Sequence, residues 1–255
     1  MVDRLPVDIT GAVKPLDEMA FDELLSSFDA DTVFVHVGLS DVNAAVDGNP
    51  YTFLYDTLID NFESVLAPGF TPSFRSCGVY HKQFSKPEYG MFSKLFGADA
   101  EYRTNDAIHS ILVDGNYRFD NCDHHDSFGP SGCWQQLEED NVLYLNIGTD
   151  DFLATQLHYL EVALDLPYVT TPEHDGVVYY DVDDYEEITQ SNYGYEYDYW
   201  LETFPNWSKI RRYLESTNAV TDHSTGGLTI YSFKARDIRE ALEPKLADDP
   251  YYLVT

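Results

Sequence analysis

The apolar positions along this chain change period several times, and each change marks an element. In KPLDEMAFDELLSSF (14–28), Leu16, Met19, Leu24, Leu25 and Phe28 recur near helical spacing, which predicts an amphipathic helix. DTVFVHVGL (31–39) is a β-branched apolar run and reads as a buried strand. SDVNAAVDGN follows as a small polar loop, and Pro50 stands where a helix can begin. YTFLYDTLIDNFESVL (51–66) continues that helix, with Phe53, Leu54, Leu58, Ile59 and Phe62 inward. The stretch 67–102 has no clear period and carries a short helix around MFSKLF. IHSILVDGNYRF (108–119) reads as a hairpin turning at Asp114-Gly115-Asn116. Then come a short helix in CWQQLEED, a buried strand in NVLYLNIG (141–148), and a helix over 150–164 capped near Thr149 or Asp150. Beyond the Tyr- and acid-rich stretch 177–202, helices are expected over 205–217 and 235–247, with GLTIYSF (227–233) as a strand between them.

Strands and helices mix throughout, so the expected fold is α/β, a mixed sheet sandwiched between helical layers. At 255 residues the chain is compatible with one large domain over 1–255. Residues 1–13 would be a flexible start, with 67–102 and 177–202 as irregular or rim segments.

Charge changes this picture in one respect. Asp and Glu total 45 against 15 Lys plus Arg, a formal net charge of −30. The acids are spread through surface-like stretches such as LDEMAFDELL, YDVDDYEE and LADDPYY, not gathered in a tail. Such self-repulsion opposes compaction in ordinary salt, but at molar salt the Debye length falls to about 3 Å. The composition therefore reads as salt adaptation of a haloarchaeal type, and it says nothing about whether a substrate is cationic. A nucleic-acid partner is disfavoured, since no basic stripe is visible. No apolar run reaches the roughly 18–20 residues a membrane span needs. The start lacks a signal-peptide pattern, and Cys77, Cys122 and Cys133 are too few and irregular for a disulfide framework. A soluble cytoplasmic protein is expected, and its oligomeric state is open.

Candidate chemistry centres on ATQLHYLE (154–161), where Thr155, His158 and Glu161 recur at intervals of three. On a helix, neighbouring members can touch. A carboxylate beside an imidazole fixes its tautomer and stabilises the protonated ring, which makes a general base with an orienter. Spacing alone equally allows a satisfied core His–Glu pair, or two metal ligands, though a bundle di-metal site would need the motif repeated on other helices. YRTNDAIHSI (102–111) places Arg103, Asp106, His109 and Ser110 at the entry to a strand, where a structural Arg–Asp pair is the plain alternative. HVGLS (36–40) ends a strand with small residues that let backbone N–H groups approach an anionic or carbonyl ligand, or simply make a tight turn. CDHHD (122–126) with Cys133 matches no common zinc spacing. Nothing pairs Cys77 or Cys133 with a base, although either could serve as an acyl carrier.

Taken in order, HVGLS (36–40), RTNDAIHS (103–110), FGPSGCW (128–134), LYLNIG (143–148) and TQLHYLE (155–161) resemble the aminoglycoside 3-N-acetyltransferase family, also called antibiotic N-acetyltransferases. That family's pattern runs H-S-S-L-S, R-x-x-(H/D)-P-x-H-S, (F/Y)G-x-x-S-P/W, an apolar strand, and T-x-L-H-x-x-E. Gly38 departs from a small hydroxyl residue, and Ala107 from proline. VLAPGFTPSF (65–74) is a loose counterpart of the family's G-T-L-x-x-P-T-F segment. The resemblance implies an acetyl-CoA-dependent N-acetyltransferase acting on a primary amine of an aminoglycoside, amino sugar or other small amine. It makes His158 the general base and Glu161 its orienter. It gives Val37, Gly38, Leu39 and Ser40 to the pantetheine or pyrophosphate of CoA, with Arg103, Ser110 and Thr155 nearby. Thr155, Ser110 or a backbone N–H would meet the oxyanion, and no metal is expected. The alternative is a catalytically silent acetyl-CoA-binding or structural member, motivated by Gly38 and Ala107.

Overall fold

The computed structural model describes residues 16–149, 152–195, 205–225 and 227–254; the expected flexible start at 1–13 lies outside them. Helix α1 (Glu18–Ser26) leads into strand β1 (Thr32–Val37), helices α2 (Leu39–Ala45) and α3 (Pro50–Asn61), and strand β2 (Ser64–Pro68). Next come α4 (Phe74–Cys77), β3 (Val79–His81), α5 (Met91–Asp99), β4 (Tyr102–Arg103) and β5 (Ile111–Gly115). α6 (Cys133–Glu139), β6 (Leu143–Ile147), α7 (Gln156–Ala163), β7 (Val169–Thr170), β8 (Glu173–Tyr179), β9 (Tyr185–Ser191) and β10 (Gly194–Tyr195) follow. α8 (Trp207–Ser216), β11 (Thr221–Asp222), β12 (Ile230–Lys234) and α9 (Ala235–Asp248) complete the chain.

The seven-stranded main sheet has the order β11-β12-β6-β1-β2-β5-β4. β6, β1 and β2 are parallel at its centre, and antiparallel strands flank them on both sides. Side-chain alternation along the central strands builds two cores. Val33, Val35, Val65, Ala67, Leu143 and Leu145 face one layer, where Phe21, Leu54, Leu58, Phe92 and Phe96 of α1, α3 and α5 pack. Phe34, Leu66 and Tyr144 face the other, with Trp134, Leu157, Leu160, Ile210 and Leu242 of α6 to α9. The mixed sheet between helical layers is thus as expected. A second sheet, β3-β8-β9, packs Tyr80, Val178 and Ile188 against Phe74, Ala107 and Ile108.

Several local expectations change. SDVNAAVDGN is not a loop: it forms most of α2, which buries Val42 and Ala45, too few apolar positions to show a period. The helix opening at Pro50 is present, with Asn49 accepting from Tyr51 and Thr52 N–H, but it stops at Asn61 instead of 66. SVLAP becomes β2 because it is buried throughout between β1 and β5, and a short apolar run does not distinguish helix from strand. The segment 108–119 is not a hairpin. β5 pairs back with β2 and β4, and Gly115 ends it at φ +106°, where an added Cβ would lie 2.1 Å from Glu63 O. The helix expected over 150–164 begins only at Gln156, and Asp150 lies outside the described residues. Asn146 explains the delay: its side chain bonds both Leu153 N–H (2.6 Å) and Leu153 C=O (2.9 Å), holding that segment extended along the sheet end. Much of 177–202 is regular, since β8 and β9 form an antiparallel pair; its residues 196–202 lie outside the described set. Cys122 and Cys133 form a disulfide, against the expectation from cysteine count, and Cys77 is free. Among the described residues no helix is long and apolar enough to cross a membrane.

Candidate active site

The carboxyl ends of β1 and β6 open into one cavity of about 350 Å³. This is where open α/β sheets place ligands, because the connections on either side of neighbouring parallel strands diverge there. β1 contributes His36 and Val37, the segment after β6 contributes Leu153, Ala154 and Thr155, and α7 contributes His158. Pro68 at the end of β2 and Phe70, Pro72 and Arg75 beyond it line one side, Tyr89, Gly90 and Ser93 around the start of α5 another, and Tyr193 and Trp207 come from farther along.

His158 lies on the wall of this cavity. Its Nδ1 lies 2.9 Å from Glu161 Oε2, one helical step away, and Glu161 is 1% exposed. Tyr168 donates to Glu161 Oε1 at 3.0 Å and Tyr195 to Oε2 at 3.2 Å. Burial first and then the Glu161 charge push both phenols far up, so they stay protonated and remain donors. Three side chains thus converge on the buried Glu161 carboxyl group. Since it accepts from His158 Nδ1–H, the tautomer leaves a lone pair on Nε2, which has no partner among the described residues. Tyr193 stacks on the imidazole with centroids 3.8 Å apart and planes 13° from parallel, and Phe128 meets the ring edge-on at 5.8 Å.

Two other imidazoles bound the space. Burial lowers His36 to about 4, so it is neutral at neutral pH, and its Nε2 lies 3.4 Å from Thr155 Oγ1. Burial also holds His109 well below the usual histidine range, packed edge-on to Phe70 and Phe128. Behind it, Asp106 caps the Ile108 and His109 N–H groups at 2.8 and 2.7 Å, while burial lifts its carboxyl to about 6.

The sequence-derived site residues separate into groups. His158, Thr155 and Val37 line the cavity, while Gly38, Leu39 and Ser40 open α2 beside Val37. Gly38 is required there: an added Cβ would lie 1.9 Å from Gly148 O. Ser110 and Arg103 do not line this cavity. The Ser110 hydroxyl is fully buried and donates to Gly69 O at 2.7 Å; Arg103 Nε donates to Ser110 Oγ, and its other nitrogens reach Gly69 and Ser85 carbonyls. Of the named side-chain oxyanion donors, Thr155 alone reaches the cavity. Arg103 instead borders a separate groove of about 720 Å³ with Lys82, Lys86 and Lys94. Cys122, His124 and Cys133 converge, but the two sulfurs are bonded to each other, so Cys133 is neither a thiolate ligand nor a free nucleophile. Tyr168, Tyr193, Tyr195 and Arg75 do not stand out in the sequence; the one available signal is the tyrosine density of 177–202, which contains Tyr193 and Tyr195.

Comparisons with known proteins agree with this architecture. The YokD protein from Bacillus subtilis superposes with a TM-score of 0.72 at 14% identity, over 92% of this chain and 94% of that one. A mutant of aminoglycoside acetyltransferase AAC(3)-IVa in complex with a gentamicin gives 0.69 at 15% identity, covering 94% and 92%. The AAC-IIIb binary structure with CoASH gives 0.70 at 16% identity, covering 91% and 97%. No curated protein sequence matches the chain. A family model described as aminoglycoside 3-N-acetyltransferase matches residues 34–247, from β1 into α9. The chain belongs to that family of N-acetyltransferases.

Proposed function

We propose that this protein moves the acetyl group of acetyl-CoA directly to a primary amine of a small molecule, an aminoglycoside, amino sugar or other small amine, with His158 as general base. The observation that carries the reading is the 2.9 Å contact between His158 Nδ1 and buried Glu161, which leaves Nε2 as the proton acceptor on the cavity wall. The acceptor nitrogen attacks the acetyl carbonyl as His158 takes its proton. Glu161 stabilises the imidazolium that forms and fixes the ring, and His158 returns the proton to the departing CoA sulfur. A positioned base of this kind is worth ~10²–10⁴-fold. The Thr155 hydroxyl, beside neutral His36, is the side-chain donor placed to meet the oxyanion.

The turn Val37–Ser40 receives the coenzyme, as the family pattern implies. Arg103 and Ser110 act from behind, by fixing Gly69 and the chain on the cavity's far side. The net charge of −30 reflects salt adaptation, so assays belong in molar KCl. There, CoA-thiol release is measured across an amine panel for the native protein and His158→Ala. Turnover that disappears in the variant is expected, and turnover that survives it removes His158 from the role. Stabilisation by acetyl-CoA with no turnover of any amine would instead mark a silent member of the fold.

A further inference from the structure

The charge inventory of the cavity is the reverse of the chain's. Acids outnumber Lys plus Arg by 45 to 15 in the sequence, yet no Asp or Glu is among the described residues lining the space beside His158. Among the described residues the one fixed charge lining it is a cation, the exposed Arg75 of α4. Among the described residues its guanidinium makes no ion pair and no hydrogen bond. The neighbouring acid Glu88 is exposed and accepts from Ser73 N–H at 3.1 Å, without pairing with Arg75. After burial, the Arg75 charge is the next influence on three rings: it opposes protonation of His109 and His174 and favours ionisation of Tyr193. Its field is therefore felt along the wall that carries the base. Tyr193, one of these rings, is stacked on His158.

A polycationic acceptor placed against His158 would bring its ammonium groups towards a guanidinium that no described residue pairs with, and like charges repel. A carboxylate or phosphate there would gain a planar, two-pronged, charge-assisted contact. His36 and His109, both held neutral by burial, add no charge of their own to this wall at neutral pH.

We propose that Arg75 reads an anionic group on the acceptor, so that the preferred substrate is a small primary amine bearing a carboxylate or phosphate, not a polycation. This rests on the acetyl-transfer reading above. Matched amines test it: CoA-thiol release with glucosamine 6-phosphate, glucosamine and gentamicin, in molar KCl. A charged hydrogen-bond pair predicts kcat/KM ~10-fold or more higher for the phosphorylated amine than for glucosamine. Arg75→Ala brings that ratio towards unity, and Arg75→Lys keeps part of it. Gentamicin or glucosamine equalling the phosphorylated amine overturns the proposal. So does a variant that raises the KM for acetyl-CoA while the amine ratio stays, since Arg75 would then serve the coenzyme phosphates. Calorimetry of glucosamine 6-phosphate binding separates this inference from the reading beneath it. Binding that is lost in Arg75→Ala supports Arg75 even where no amine turns over. Absent binding, or binding indifferent to Arg75, rejects it even where acetyl transfer is confirmed.

Discussion

Replacing Glu161 by Gln removes one charge while keeping the outline of the side chain, which makes it the sharpest test of the base assignment. The carboxylate takes donors from His158 at 2.9 Å, Tyr168 at 3.0 Å and Tyr195 at 3.2 Å, and it is 1% exposed. A glutamine offers one acceptor oxygen and one NH₂ group in the same place. If the NH₂ faces His158, the imidazole must switch tautomer, carry its proton on Nε2 and cease to be a base; the equivalent Asp→Asn change in a serine-protease triad costs ~10⁴ in kcat. If the NH₂ takes the place of Oε1, the Tyr168 hydroxyl turns to accept, the tautomer survives, and only the charge that stabilises the imidazolium is lost. A charge-assisted hydrogen bond is worth ~1.5–3 kcal/mol, which sets the lower end of the loss near ~10-fold. Glu161→Gln should therefore lower kcat by ~10–10⁴-fold, or ~1.5–5.5 kcal/mol of barrier. Thiol release at saturating acetyl-CoA and amine reads this directly, with a thermal melt to show that the variant is folded. A folded Glu161→Gln protein with kcat within ~3-fold of native would refute the orienting role.

Other outcomes follow from the same geometry. Gly38→Ser forces a Cβ to within 1.9 Å of Gly148 O, so it should destabilise by ~1–3 kcal/mol in chemical denaturation, even though the family pattern tolerates a hydroxyl residue there. Burial lowers His36 from 6.5 to about 4, so the unfolded chain binds the extra proton between those values. Its contribution is complete above pH 6.5 and is lost as pH falls through about 4, a swing of ~3 kcal/mol that His36→Gln should remove from an acid denaturation series. Asp106 works in the opposite sense, because its folded value of about 6 lies above the ordinary 3.8 and stability falls as pH rises between them. Asp106→Asn, which keeps an acceptor for the Ile108 and His109 N–H groups, should abolish that fall. Reducing Cys122–Cys133, a closure of 11 residues, should cost ~2–3 kcal/mol and appear as a lower melting temperature with a dithiol present.

What can be read from sequence follows the strength of each local pattern. β1 and β6 are continuous apolar runs closed by turn residues, and α8 and α9 have clear helical stripes, so these elements are visible. β2 is hidden because SVLA extends the apolar stripe of α3, and its strand identity comes from partners on either side, not from its own residues. β5 reads as half of a local hairpin for the same reason: its true antiparallel partners are β2 and the upstream β4. At the site, His158 and Glu161 can be paired because they sit one turn apart on α7. Tyr168, Tyr193 and Tyr195 reach them from the chain beyond that helix, and no spacing announces such contacts. Arg103 and Ser110 show the converse. They sit in a recognisable motif, yet their side chains bond Gly69 instead of facing the cavity, because the motif records the building of a loop as well as contact with a ligand.

The plate formed by Tyr193 has a use beyond packing. An aromatic ring lying parallel to an imidazole at 3.8 Å shields the protons of that imidazole magnetically, so the His158 ring resonances should stand upfield of those of the other histidines. Because their position depends on the stack, any ligand that slides between the rings or tilts them would move those signals before turnover begins. His158 thus carries its own occupancy gauge, readable by nuclear magnetic resonance in the unmodified protein.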